Sequence, residues 1–380
     1  MSSAVGASGR AEPDLMRSIL KRIATGPELS KDISREEARA GMSLILEGKV
    51  DPVQAGIFLI ALRMKRETDD ENCGVLDAIR AVTHTATAPV DEVIDIADPY
   101  DGYKRTLPAA PFLPAVLAAC GMPAVSHGVE RMGPKYGVTH RQVLRAAGLK
   151  VGLSVAEAAA RLGDPALGWA YVDQQDFCPK LHRLTELRTL IVKRPAITTV
   201  EVLAGPLRGA RKTHIVTGFV HKPYSRIYAL LARAADFSSA LIVRGLEGGV
   251  IPSLRQTGRL FYYHDQGEEC SRDITPAEFG VEPPMRGVPI PEALMAHGEE
   301  TDDVAAAFDT TAVAQAAAVA GMDALAGKPG PTRDALVCAG AVCLWHLQRC
   351  DTLKAAADAV RQVLDDGSAL SRFVTRSGGN

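Results

Sequence analysis

The spacing of apolar residues changes character between Arg80 and Val93, and that change limits the fold more than any single motif does. Up to Arg80 the apolar positions recur with a helical period. From Val93 onward, short β-rich runs alternate with helix-length segments, which predicts a helical region followed by an α/β sheet covered by helices. The first α/β unit is the most informative. A Val-Ile-Asp-Ile run at 93–96 meets a polar turn, Asp98-Pro-Tyr-Asp-Gly102, then a helix-length segment, then Ala124-Val-Ser-His-Gly128. Strand, turn, helix and strand in that order is the organisation of a phosphate-cradling site, here with most of the usual glycines and hydroxyls missing.

The helical region carries its own punctuation. Ser34 and Glu37 fit a capping box, as do Thr68 and Glu71, and Asp51-Pro52 supplies a cap with a preformed first turn. After Val93 the pattern predicts strands at 124–126, 214–217 and 240–243, with helices near 112–120, 139–147, 154–162 and 224–234. Acidic residues at Glu299–Asp303 lead into an alanine-rich helix, where negative charge favours the amino end. Residues 327–331 form a turn before the final helices.

With 380 residues and 47% hydrophobic content, the chain can bury a large domain and a smaller one. A net charge of -2 gives no global case for nucleic-acid or membrane binding and leaves local patches open. The seven cysteines are dispersed, without a C-x-x-C or other metal spacing, and read as reduced thiols in a cytoplasmic protein. No secretory leader pattern opens the sequence, and no apolar run is long enough to span a bilayer.

The segment Phe58-Leu-Ile-Ala-Leu-Arg63-Met-Lys65-Arg-Glu67-Thr68, preceded by Gly48 and Gln54-Ala-Gly56, closely resembles the amino-terminal signature of the anthranilate phosphoribosyltransferase family, glycosyltransferase family 3. The likeness continues through the 93–102 strand and turn, His127-Gly128, Leu144–Gly148, Ala204-Gly-Pro-Leu207 and Leu241–Gly248, and covers roughly residues 15–370. Details such as Pro99–Gly102, His127-Gly-Val129, Phe177-Cys-Pro179 and Arg244–Gly248 resemble a divergent branch with nucleic-acid-binding members. The resemblance implies an anthranilate phosphoribosyltransferase or nucleoside phosphorylase-like fold: a small helical domain hinged to a larger α/β domain with a central, mostly parallel sheet. It also implies a homodimer formed through the helical domain. On this reading residues 1–13 are a flexible tail, 14–85 the helical domain with a later helical segment near 165–195, and 90–375 the α/β domain.

The same resemblance locates candidate site residues and shows what has changed. The family's diphosphate loop, Gly-Thr-Gly-Gly-Asp-Gly, falls on Ala97–Gly102, where only Asp101 and Gly102 survive. Pro99 has no N–H to donate, Asp98 adds charge repulsive to diphosphate, and Lys104 and Arg105 are gained nearby. The Lys-His-Gly-Asn-Arg-Ser motif becomes Ser126–Arg131, keeping His127 and Gly128, with Arg131 and Lys135 placed to contact phosphate. The arginine that faces the acceptor corresponds to Arg188 or Arg194. The family's magnesium acids, in Asp-Gly-Leu-Asp-Glu, leave Glu247 as the only carboxylate, with Glu268 and Glu269 as weak substitutes further on. Magnesium is therefore implied only if the protein is an enzyme.

Against that stands a local excess of base. Between Asp176 and Arg226 there are ten Lys or Arg and three acids. Lys193, Arg194, Arg208, Arg211 and Lys212 are the candidates for a phosphate backbone, with Tyr136, Tyr171, Phe219 and Tyr224 available for stacking. Two ligands are thus expected in competition: phosphoribosyl diphosphate or a similar phosphate ester, with transfer to an unidentified acceptor, or single-stranded nucleic acid held in a basic cleft without catalysis. Anthranilate itself is a doubtful acceptor, and no membrane partner is implied.

Overall fold

The computed structural model describes residues 12–26, 28–282, 285–295 and 309–375. Most of the expected tail, and the acidic run Glu299–Asp303, lie outside the described residues.

Four helices open the chain: α1 (Glu12–Ile23), α2 (Arg35–Leu46), α3 (Pro52–Lys65) and α4 (Asp69–Ala81). Both capping boxes form, and Asp51 caps α3 ahead of Pro52. The second box does more than cap. Buried Glu71 also takes the Ile33 N–H at 2.9 Å and the Lys65 ammonium at 2.7 Å, which ties the ends of α3 and α4 to the entry of α2.

A seven-stranded sheet follows, in the order β4-β3-β2-β6-β7-β8-β9. Its members are β2 (Glu92–Ala97), β3 (Ala124–Gly128), β4 (Trp169–Asp173), β6 (Lys212–Gly218), β7 (Ser239–Val243), β8 (Gly258–His264) and β9 (Cys270–Ile274), and a separate small pair joins β1 (Ala86–Thr87) to β5 (Leu207–Arg208). The first five strands of the main sheet run parallel, and β8 and β9 are antiparallel. The helices α5 (Leu113–Ala119), α6 (His140–Ala146), α7 (Val155–Gly163) and α12 (Pro223–Ala234) connect the strands. Helices α13 (Thr310–Leu325), α14 (Pro331–His346), α15 (Leu353–Asp365) and α16 (Ser368–Val374) close the chain, and Asp309 caps α13.

β2 shows why the sheet is buried on both faces. Ile94 and Ile96 enter one core with α5 and α14, while Val93 and Ala97 enter the other with α1–α4 and α12. Two covered faces need apolar residues, and among the fully buried positions of β2 Asp95 is the exception.

The segment expected to be helical near 165–195 needs correction. It begins with strand β4, and helix starts only at Gln174, as α8 (Gln174–Phe177), α9 (Pro179–His182) and α10 (Thr185–Ile191), followed by α11 (Ile197–Val200). All five β4 residues are buried, so the strand has no polar alternation to reveal it. α10 returns to pack against α3, which joins this later segment to the opening helices.

Candidate functional site

Parallel strands β2, β3, β4, β6 and β7 end along one edge of the sheet, the place where α/β proteins bind ligands. The turn after β2 is built by close backbone approach. Gly102, at φ +72°, donates to the Pro99 carbonyl, and a Cβ there would sit 2.6 Å from the Gly137 carbonyl. Tyr103 then bridges to Val138, and the Gly137 N–H donates to the Asp101 carbonyl at 2.8 Å. The loops after β2 and β3 are thereby clasped together.

Asp98 is the knot of this edge. Its Oδ2 accepts from Tyr103 Oη at 2.6 Å and lies 2.9 Å from His140 Nε2, while Oδ1 accepts the Val250 N–H at 2.9 Å. Three loops therefore share one buried carboxylate. Burial and the Asp98 charge push the Tyr103 phenol well above its ordinary pKa, so it stays a donor. A Cβ at Gly249 would fall 1.8 Å from Tyr103 Oη, which leaves only glycine room at this contact. Asp98 is committed inside the protein and does not face a ligand as a repulsive charge.

Glu247 lies in the left-handed region, at φ 52° and ψ 18°, and reaches back across the edge. Its carboxylate accepts the N–H groups of Lys104 at 3.0 Å, Arg105 at 2.8 Å and Thr106 at 3.0 Å, and the Thr106 hydroxyl at 3.1 Å. Lys135 adds its ammonium at 2.8 Å. Burial works to raise the Glu247 pKa, but Lys135 and the backbone donors outweigh it and hold the carboxyl below its ordinary value. Three successive N–H groups and a lysine make an anion cradle, and an internal anion fills it.

Several expected ligand residues prove to have structural partners. His127 is 1% exposed, with Nε2 2.8 Å from Asp95 Oδ1 and Nδ1 2.6 Å from Tyr100 Oη, so neither ring nitrogen is left for a ligand. Neighbouring Gly128 ends β3 opposite Asp173. Arg188 is buried in a bidentate pair with Glu201, at 2.7 Å on both nitrogens, and cannot face an acceptor. Arg194 instead reaches Asp101 Oδ2 at 2.7 Å, joining the segment after α10 to the turn after β2. Arg131 lies exposed over the Tyr136 ring, 4.5 Å from its centroid.

The metal candidates do not converge. Glu268 and Glu269 sit exposed between β8 and β9, at the opposite end of the sheet from Glu247. Among the described residues no group of three His, Cys, Asp or Glu is placed to hold a metal ion. Because the oxygens of Glu247 and Asp98 accept from fixed donors, this edge does not fit magnesium.

The basic cluster divides as well. Arg208 stacks 4.4 Å from the centroid of Phe237 and donates to the Ala235 carbonyl at 3.0 Å, and burial lowers its pKa. Lys212 pairs with Asp265 at 2.8 Å, and Arg211, 75% exposed in its side chain, lies 3.7 Å from Asp91. All three sit at the amino end of β6, about 20 Å from the ligand edge at roughly 3.3 Å per residue. The ligand edge carries other cations. Arg105 follows β2, Arg131 follows β3, Lys222 follows β6 and Arg244 follows β7, each exposed and, like Lys193, without an acidic partner among the described residues.

Sequence reasoning missed the buried acids. Asp95 serves His127, and Asp173 accepts from Tyr171 Oη at 3.0 Å and pairs with Arg141 at 2.8 Å. The available signal was an aspartate inside or closing an apolar strand, which must find a partner to be buried.

The arrangement defines a protein with the two-part fold of the anthranilate phosphoribosyltransferases. Residues 17–83 match the family described as "Glycosyl transferase family, helical bundle domain". An anthranilate phosphoribosyltransferase from Methylocella silvestris is 28% identical over 96% of this chain and 96% of its own length. The corresponding protein from Rhodopseudomonas palustris is 26% identical, over 94% and 96%. An uncharacterised Aquifex aeolicus protein is 29% identical over 63% of this chain and 71% of its own. Among solved structures, anthranilate phosphoribosyltransferase from Saccharomyces cerevisiae with 4-fluoroanthranilate superposes with a TM-score of 0.73 at 16% identity, covering 96% of each chain. The chain is thus similar to anthranilate phosphoribosyltransferases along nearly its whole length and shares their fold.

Proposed function

We propose that this protein holds a single strand of nucleic acid along the cation-lined edge of the sheet and does not carry out magnesium-assisted displacement of diphosphate. The observation that carries the reading is the division of charge at that edge. The small-anion cradle is filled by Glu247, while Arg105, Arg131, Lys193, Lys222 and Arg244 lie exposed around it. Unpaired cations spread over several loops suit a repeating phosphate backbone better than one compact ester. Tyr136, half-buried beneath Arg131, offers a ring for base stacking.

The test is a titration of the intact protein with a short oligothymidine at several salt concentrations. Binding is expected to weaken steeply with salt, and combined Arg105→Ala, Arg131→Ala, Lys222→Ala and Arg244→Ala is expected to lower both affinity and salt slope. Arg211→Ala with Lys212→Ala is the control and leaves both unchanged. Loss of binding in the control but not in the edge variant would refute the assignment.

A second reading is transfer of a phosphoribosyl group from phosphoribosyl diphosphate to an unidentified acceptor. It is favoured by similarity to anthranilate phosphoribosyltransferases along nearly the whole chain. It requires Glu247 to leave its cradle, and saturable binding of phosphoribosyl diphosphate with magnesium to the unaltered protein would support it.

The reading includes a cytoplasmic homodimer formed through the opening helices. α3 shows an apolar stripe of Val53, Ile57 and Met64, continued by Leu190 and Val192 at the end of α10, with Met64 72% and Leu190 74% exposed. Mass by light scattering across the micromolar range checks it, and Ile57→Lys with Leu190→Lys is expected to give monomers. Among the described residues no helix is long and apolar enough to cross a membrane.

A further inference from the structure

Taking the strand reading as the basis, we infer that an open cavity of about 280 Å³ receives the base of one nucleotide, and that Arg105 and Arg286 hold its phosphate at the mouth. The cavity lies where the carboxyl end of α13 meets the amino end of α14. At its other end α14 reaches the amino end of β7, where His346 Nε2 is 2.8 Å from Ser239 Oγ. Sixteen residues of helix span about 24 Å, so the start of α14 stands level with the carboxyl ends of the strands, the ligand edge.

Two chain segments build the mouth. A Cβ on Gly287 would lie 2.9 Å from Thr106 Cγ2, and the Leu107 N–H donates to the Val288 carbonyl at 3.0 Å. The segments thus run side by side in the same sense, and the pair before them is Arg105 and Arg286. Leu254 fixes the second segment by donating its N–H to the Arg286 carbonyl at 2.9 Å. Both arginines are exposed and lack an acidic side-chain partner among the described residues, since Glu247 meets Arg105 at its backbone N–H. Like charges set side by side repel, and a phosphate between them removes that cost. Leu107 and Val288 line the cavity two residues on, so at most about 7 Å of chain separates each arginine from the wall.

The cavity itself suits an uncharged ring. Leu107, Val288, Pro289, Ala320 and Ala324 form an apolar wall. The charged side chains in the lining are already matched, Lys328 with Asp323 at 2.7 Å and Arg333 with Asp365 at 2.6 Å. A second anion gains little there, whereas an unstacked base presents apolar faces to the wall and a polar edge to the rim. Small-ligand sites begin at about 300 Å³, so the space suits one base and not a longer segment.

The full chain is titrated with a short oligothymidine, with an abasic deoxyribose-phosphate chain of the same length, and with thymidine 5′-phosphate. Ala320→Phe, at a half-buried wall position, fills the cavity and is expected to weaken oligothymidine about ten-fold, the equivalent of one interaction of ordinary strength. It leaves the abasic chain unaffected. Arg286→Ala is expected to weaken both chains alike and to reduce the salt slope by about 0.7, the share of one phosphate on a single strand. If Ala320→Phe does not fold by circular dichroism, Ala320→Leu, which fills less of the space, takes its place. A filled cavity that weakens both chains equally, or neither, overturns the base site and leaves the strand reading standing. An unchanged slope in Arg286→Ala overturns the phosphate contact. Thymidine 5′-phosphate binding as tightly as the oligothymidine makes this a site for a free nucleotide and overturns its place on a strand. Failure of the unmodified protein to bind either chain at low salt overturns the strand reading itself, and this site with it.

Discussion

The two ends of the sheet handle charge in opposite ways. At the carboxyl ends of the parallel strands the acids are inside, where Asp95, Asp98 and Glu247 each accept from fixed donors, while Arg105, Arg131, Lys222 and Arg244 stay outside without acidic partners among the described residues. At the amino ends the cations are matched on the surface, Lys212 with Asp265 and Arg349 with Glu92, while histidines are buried. His214 and His346 there share Ser239, each 2.8 Å from its hydroxyl. A count of basic residues along the chain points to the second end, whereas the pattern of pairing points to the first. Pairing, not number, determines where a polyanion can gain by binding.

The largest expected effect tests the interior of the first end. Asp98→Ala would leave Tyr103, His140 and the Val250 N–H without their shared acceptor, and is expected to destabilise by about 3–5 kcal/mol. Urea unfolding measures this. A loss near 1 kcal/mol would mean that the three loops hold together by packing and not through the carboxylate.

Acid should dismantle the two ends in sequence. Burial, more than any neighbouring charge, lowers the His214 pKa to about 4, and burial also pushes His346 well down. An unfolded histidine takes its proton near 6.5, so between that pH and about 4 the unfolded chain binds more protons and stability falls as pH falls. His214 alone contributes about 3 kcal/mol above pH 6.5 that is gone by pH 4. Glu247 has its carboxyl pKa lowered, so its contribution is present above the unfolded value near 4.5 and is lost only as the pH drops below it. Chemical denaturation at a series of pH values should show the histidine step first, and His214→Asn should remove it while leaving the carboxylate step. A single step in the carboxylate range for both proteins would contradict the ordering.

A smaller effect on stability sharpens the contrast in function. Glu247→Ala should cost about 1–2 kcal/mol, because the released backbone donors can be hydrated. It should also create affinity for inorganic diphosphate that the parent lacks, detectable by calorimetry. No gain in binding would mean that the cradle collapses when its internal anion is removed.

The helices with caps were legible from the residues themselves, since capping boxes and Asp-Pro starts are local signals. β2, β3, β6 and β7 were legible from short apolar runs between helical segments. β4 was not, because its Trp169–Asp173 run is buried throughout and carries no alternation. Within the site, the departure of Ala97–Gly102 from the glycine-rich pattern was legible in the sequence. What replaced the glycines could not be read, because Glu247 lies 141 to 143 residues from the N–H groups it accepts. Taken alone, it looked like the remnant of a metal site. Arg188 misled for the same reason: an arginine in a basic segment looks like a ligand contact until Glu201 is found beside it.

The antiparallel end of the sheet limits how these molecules can aggregate. β9 is the last strand, and a bare strand edge is a template for another chain. Here it carries Arg272, paired with Glu278 at 2.6 Å, and Asp273, 3.7 Å from Arg259. A strand docking on that edge would have to desolvate or break these pairs, a penalty repeated at every addition. The charged border thus guards the sheet against fibre growth.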